Sequence, residues 1–116
     1  MLEKLLDISR DVEFSMDGDS WKFQLLRPTE KLRRAQVISR VLGGAPIESV
    51  TADDYSRAFM SATLTVAFVD GPDVFKEKFQ KDFTQIPDDS YLRSLYEKYL
   101  SAEERFEEAK KKFRPA

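Results

Sequence analysis

Two neighbouring segments near the start of the chain alternate apolar and polar residues, and this alternation constrains the fold more than any other feature. The segments read "VEFSM" and "WKFQL", and "DGDS" between them has the composition of a turn. A period of two is typical of a β-strand with one buried face. The alternation places six large apolar side chains on one face: Val12, Phe14, Met16, Trp21, Phe23 and Leu25.

These segments predict a β-hairpin over about residues 12–26. With Gly18 and Asp19 at the centre of the turn, the pairing would set Met16 opposite Trp21, Phe14 opposite Phe23 and Val12 opposite Leu25. Two strands alone are only marginally stable in water. We therefore expect the apolar face of the hairpin to pack on helices.

Four helices are predicted after the hairpin, over about residues 30–42, 52–69, 73–83 and 88–113. Glycine, proline and capping residues separate them, with Thr29 and Thr51 as expected N-caps. The expected fold is a single domain, 1–116, of the mainly α (α+β) class. It has an N-terminal hairpin packed on a bundle of about four helices and ends in a long C-terminal helix.

The predicted helices differ in the apolar faces that they offer. The helix over 52–69 has little polar surface in its second half and is expected to be central and buried. The helix over 73–83 carries one aromatic stripe, Phe75, Phe79 and Phe83. The helix over 30–42 has its expected apolar face at Leu32, Ala35, Ile38, Val41 and Leu42.

The last helix carries a narrow stripe with alternating steps of three and four residues. Its positions are Leu92, Leu95, Tyr99, Ala102, Phe106, Ala109 and Phe113. A helix of this length spans about 35 Å, more than the core of a small domain requires. Two interpretations stay open: the whole stripe packs on its own domain, or its distal half meets another chain, including a second copy.

The amino-acid composition limits the catalytic and metal-binding groups that the chain can use. The chain contains no Cys and no His, which removes thiol nucleophiles and the commonest general base and metal ligand. The pairs Asp53–Asp54 and Asp88–Asp89 lie at predicted helix starts, where acidic residues are favoured electrostatically. "MDGDSW" resembles the turn of a calcium loop, but the last ligand position of such a loop would fall on Gln24, which is not a carboxylate. We expect no enzyme activity, cofactor or metal.

Charge is concentrated in one segment. Residues 27–44 hold Arg27, Lys31, Arg33, Arg34 and Arg40 against Glu30, so five positive charges less one negative give +4, although the whole chain carries −2. Such a segment can meet phosphates or an acidic protein. The acidic total makes nucleic acid the less favoured partner.

Location is expected to be intracellular. The longest apolar run, near "FMSATLTVAFV", is shorter than the roughly 20 residues of a membrane span. The N-terminal segment has no small-residue cleavage site of a signal peptide. We therefore expect a soluble, cytoplasmic protein that does not interact with membranes.

The order of elements resembles the tail assembly chaperones of tailed bacteriophages. The resemblance lies in the aromatic strand "WKFQLLRPTEKL", the central helix ending in "VAFVDG", and the C-terminal "YLRSLYEKYLSAEERF". It covers most of residues 12–113. It implies a protein that binds the tape-measure protein, or tail-tube subunits, in the host cytoplasm during tail assembly.

Two alternatives are kept beside this function. The first is a permanent structural subunit of the phage particle, in the tail, baseplate or neck, and the second is a small nucleic-acid-binding protein using residues 27–40. A homo-oligomer is compatible with the stripe. The candidate partner-binding residues are Leu95, Tyr99, Ala102, Phe106, Ala109, Phe113, Arg33 and Arg34.

Overall fold

The fold is an α+β arrangement in which a three-stranded antiparallel sheet packs on helices. It is known from a computed structural model that describes residues 2–6 and 8–112. Two short 3₁₀ turns, Ile47–Ser49 and Phe83–Gln85, interrupt the connections. The main elements are α1 (Leu2–Leu6), β1 (Asp11–Met16), β2 (Asp19–Gln24), α2 (Pro28–Val41), α3 (Ala52–Ala67), β3 (Phe68–Asp70), α4 (Asp73–Lys78) and α5 (Asp89–Lys111).

The predicted hairpin is confirmed, but its predicted register is wrong by two residues. The strands pair Val12 with Phe23, Phe14 with Trp21 and Met16 with Asp19. Asp17 and Gly18 form the turn, both with positive φ (52° and 84°), which is the backbone of the tight primed turns that suit hairpins. Because the shift is two residues, every side chain keeps its predicted face.

A third strand was missed by the sequence analysis. The helix predicted over 52–69 ends at Ala67, and Phe68–Asp70 pairs antiparallel with β2. The sheet order is β1-β2-β3. The apolar run continues without a break through this point, so its pattern did not separate the end of the helix from a strand of three residues.

Helix α3 is the central helix, as predicted. The Thr51 hydroxyl accepts a hydrogen bond from the Asp54 N–H and caps its start, and half of its residues are buried. The buried hydroxyls of Ser61 and Thr63 donate to carbonyl oxygens one turn earlier, at Arg57 and Phe59. These bonds satisfy polar groups that would otherwise be costly to bury.

The aromatic stripe predicted on one helix over 73–83 is built differently. Helix α4 ends at Lys78, and Gln80 and Lys81 adopt positive φ (51° and 63°), which breaks the helical path. Phe83 then enters the core from the 3₁₀ turn and lies 4.4 Å from Phe75, centroid to centroid. The stripe is therefore buried, but by two separate elements.

The long C-terminal helix is confirmed. The carboxylate of Asp88 accepts from the N–H groups of Ser90 and Tyr91 at its start. Arg57 of α3 pairs with Asp89 at 2.7 Å and fixes this end against the central helix. The predicted helix extended to residue 113, and Phe113 lies outside the described residues.

Candidate functional site

The stripe of α5 faces the interior of the domain. Leu95, Tyr99 and Phe106 are only 0%, 1% and 7% exposed, and Ala102 and Ala109 are half-buried. These side chains are therefore not offered as a surface to another chain. Phe113, the last predicted partner-binding residue of the stripe, is outside the described residues.

Phe106 is covered by the segment that precedes the hairpin. The guanidinium of Arg10 lies 4.7 Å from the centroid of the Phe106 ring, and the Lys110 ammonium lies 5.1 Å from it. Half-buried Ile8 belongs to the same core. The interpretation in which the distal half of α5 projects is thus corrected, since the segment before β1 extends the core along the helix.

The Tyr99 side chain links α5 to the segment that follows β2 by a hydrogen bond. Its hydroxyl oxygen accepts a hydrogen bond from the N–H of Leu26 at 3.1 Å. Burial raises the pKa of Tyr99 to about 12, although this hydrogen bond favours the ionised form. Tyr99 therefore has a structural role in the interior of the domain.

Helix α2 packs on a face that differs from the predicted one. It begins at Pro28 with Arg27 as the N-cap residue, not Thr29, and Glu30 accepts from the Arg27 N–H. Leu32 is 67% exposed and Val41 41% exposed. Ile38 and Leu42 of the predicted face are half-buried, and so is Val37, which was not part of that face.

Arg34 explains why the helix is rotated. Its guanidinium lies 4.4 Å from the centroid of the Phe59 ring on α3, and its Nη1 donates to the Thr63 hydroxyl at 3.4 Å. Arginine offers both a flat cation for an aromatic face and a long apolar stem. Arg34, which was predicted to bind a partner, therefore packs on α3 of its own domain.

The face of α2 turned away from α3 is an exposed surface with mixed character. Every residue of α2 keeps part of its surface exposed, and the outer positions combine two arginines with two apolar residues. We call this the α2 outer surface, defined as Leu32, Arg33, Ala35, Gln36 and Arg40. Of the two predicted arginines, it contains Arg33 and not Arg34.

Depressions elsewhere on the molecule differ in lining. One, about 690 Å³, lies along the distal part of α5 and is lined mostly by charged side chains such as Glu104 and Glu108. Another, about 240 Å³, is mainly apolar and lies between β2, α4 and the start of α5. It was not predicted from the sequence, because its lining residues come from β2, α4, α5 and the turns between them, which are distant along the chain.

The paired acidic residues noted in the sequence lie at the starts of helices. Asp53 and Asp54 lie in the first turn of α3, and Asp88 caps α5. Over residues 2–6 and 8–112, three or more metal-ligating side chains do not come together anywhere. In that same part of the chain, the helices are too short or too polar to cross a membrane.

Comparison with known proteins adds no family to this picture. Protein-family models, curated proteins and solved structures were compared with the chain, and none matches it.

Proposed function

We propose that this chain is a non-enzymatic tail assembly chaperone of a tailed bacteriophage. In this role it binds the tape-measure protein, and tail-tube subunits where they meet it, in the host cytoplasm. The proposal begins from the resemblance in element order. The observation that supports it most is the α2 outer surface.

The composition of the α2 outer surface suits a helical client. Leu32, 67% exposed, supplies an apolar contact at the N-terminal end of the surface. Arg33 and Arg40 lie along one side of the surface and attract acidic side chains, which steers association and fixes orientation. An amphipathic client helix with an apolar stripe bordered by Glu or Asp matches both features.

The firm packing of α5 supports our proposal that the client binds to α2. A client that displaced Tyr99 or Phe106 would have to open the core first. The α2 outer surface is available without any rearrangement. We therefore transfer the partner-binding role proposed for the α5 stripe to the α2 outer surface and retain Arg33 in it.

The test is co-expression with the tape-measure protein from the same genome. We expect the tape-measure protein to become soluble and to co-elute with this chain. Leu32→Asp and Arg33→Glu should each reduce the co-eluting fraction at least about tenfold, a loss of about 1.4 kcal/mol. Arg93→Glu, the same charge change on an exposed residue of α5, should have no effect. An insoluble tape-measure protein, or equal losses in all three variants, would reject the proposal.

The permanent-subunit alternative makes a different prediction for the particle. A chaperone leaves before the tail is complete, so mass spectrometry of purified virions should not detect the chain. Detection at a fixed ratio to the tail-tube protein would favour a structural subunit. Salt-sensitive binding to DNA that Arg33→Glu removes would instead favour the nucleic-acid alternative.

A further inference from the structure

The apolar depression beside β3 has the size of a binding pocket for one side chain. Trp21 and Phe75 line it together with Phe79, Ile86 and Tyr91, and its volume is about 240 Å³. Pockets for whole small molecules usually exceed about 300 Å³. Pockets of this smaller kind hold single apolar anchors at the centre of protein interfaces.

Trp21 in this pocket has an unused hydrogen-bond donor. The side chain is 2% exposed, and its Nε1–H has no hydrogen-bond partner among the described residues. Burial raises the pKa of Tyr91, and the Trp21 N–H opposes that rise. The indole N–H is therefore near the Tyr91 oxygen, although the pair does not meet hydrogen-bond geometry. A buried donor without an acceptor is rare in native proteins. Because Nε1 itself is buried beside Tyr91, the Trp21 ring, and not this N–H, is what the pocket offers to a partner.

The sheet has an open edge next to the pocket. Strand β3 pairs with β2 on one side, and no other strand among the described residues pairs with its far side. Val69 on this strand is 55% exposed, and Val74 at the pocket is 51% exposed. An extended segment added beside β3 would pair with the free backbone N–H and C=O groups of this edge. It would reach the pocket within a few residues.

The negative charge around the pocket favours a partner segment that carries positive charge. Asp19 and Asp88 are among the residues that line it. Asp17 and Asp19 also act on Tyr91 electrostatically and favour its neutral form. A positive side chain beside the inserted apolar one would be attracted by this acidic rim.

We infer that the pocket and the free edge of β3 form a second docking site, which binds an extended segment of a partner protein. The segment inserts one bulky apolar side chain beside Trp21 and places Lys or Arg next to it against Asp19 and Asp88. The site is separate from the α2 outer surface and is independent of the proposed client.

Trp21 is the single tryptophan of the chain, so its fluorescence reports on the pocket directly. The probe is a panel of capped five-residue peptides of the form Val-Lys-X-Lys-Val, with X as Leu, Ile, Met, Phe or cyclohexylalanine, the saturated analogue of Phe. We expect at least one peptide to shift the emission saturably below about 1 mM. Replacing X by Ala, or both lysines by Glu, should weaken that peptide at least about tenfold.

Matched protein variants locate the binding. Val74→Glu at the pocket should weaken binding at least about tenfold, whereas Ile47→Glu, which adds the same charge at another exposed apolar residue, should leave it unchanged. The inference is overturned if the whole panel fails to shift the emission. It is overturned also if the Val74→Glu variant binds the peptide normally, or if acetylphenylalanine amide binds as tightly as the peptides. It is overturned as well if the wild-type chain self-associates through this site and Val74→Glu abolishes that self-association.

Discussion

At the scale of single residues, side chains that combine polar and apolar groups explain several differences between the predicted and the observed structure. Arg34 was predicted to bind a partner, yet its guanidinium stacks on Phe59 of α3 and supports α2. Tyr99 was expected on an apolar stripe, and its hydroxyl also holds the Leu26 N–H. Periodicity treats a residue as apolar or polar, whereas these two side chains act as both.

Tyr99 should make the stability of the domain dependent on pH in the alkaline range. The phenol has a pKa near 10 in the unfolded chain and about 12 in the folded one. The folded state therefore keeps a proton that the unfolded state has lost. Stability should be complete below about pH 10 and fall towards pH 12, by up to about 1.4 kcal/mol per pH unit.

Urea unfolding of the wild-type chain and of Tyr99→Phe across this range measures the effect. The variant should lose about 1–3 kcal/mol at neutral pH, because the buried Leu26 N–H is left without an acceptor. Its stability should also fall less steeply above pH 10. Parallel curves for the two proteins would contradict the assigned pKa.

Gly71 is required by a close approach rather than by its backbone angles. A Cβ at this position would lie 2.9 Å from Cε3 of Trp21 and 3.0 Å from Cε2 of Phe68. Gly71→Ala should therefore cost about 1–3 kcal/mol through overpacking and change the Trp21 emission.

The comparison for Gly71 is Gly44→Ala, where a Cβ would meet open space and only the positive φ opposes it. That variant should lose about 1–2 kcal/mol and keep the wild-type emission spectrum. An unchanged spectrum for Gly71→Ala would show that the indole is not packed against the turn.

At the scale of elements, the sequence predicts which faces are buried better than it predicts where elements pair or end. The hairpin was predictable because six large apolar residues alternate in phase. Its register was not, since a shift of two residues preserves both faces. The end of α3 was hidden because Ala67 and Phe68 continue one apolar run into β3. The surface of α2 was missed because its rotation depends on Phe59, a residue distant in sequence.

Helix α5 is the element for which the two sequence interpretations differ most. Phe106→Ala should destabilise the domain by about 3 kcal/mol, because it removes a buried ring and the contact with Arg10. Thermal or urea unfolding measures this, with exposed Glu104→Ala expected within about 0.5 kcal/mol of wild type. A negligible loss for Phe106→Ala would restore the interpretation in which the distal helix awaits another chain.

At the scale of the whole molecule, the domain is flat rather than spherical. Its extents are 42 × 38 × 21 Å and its radius of gyration is 15.5 Å, above the value of about 13 Å for a compact domain near this size. Within this shape, α5 lies against the domain with its buried residues from Leu92 to Phe106. The shape also leaves the basic α2 outer surface and the acidic pocket as two separate surfaces, each suited to a partner of opposite charge.

The measurement that tests the central claim most directly is hydrogen exchange of the chain, free and in complex with the tape-measure protein, followed by mass spectrometry. The account predicts slower exchange in the complex over residues 28–41, the length of α2, and unchanged exchange over residues 95–111 of α5. Slower exchange confined to α5, with α2 unaffected, would contradict the assignment of client binding to the α2 outer surface.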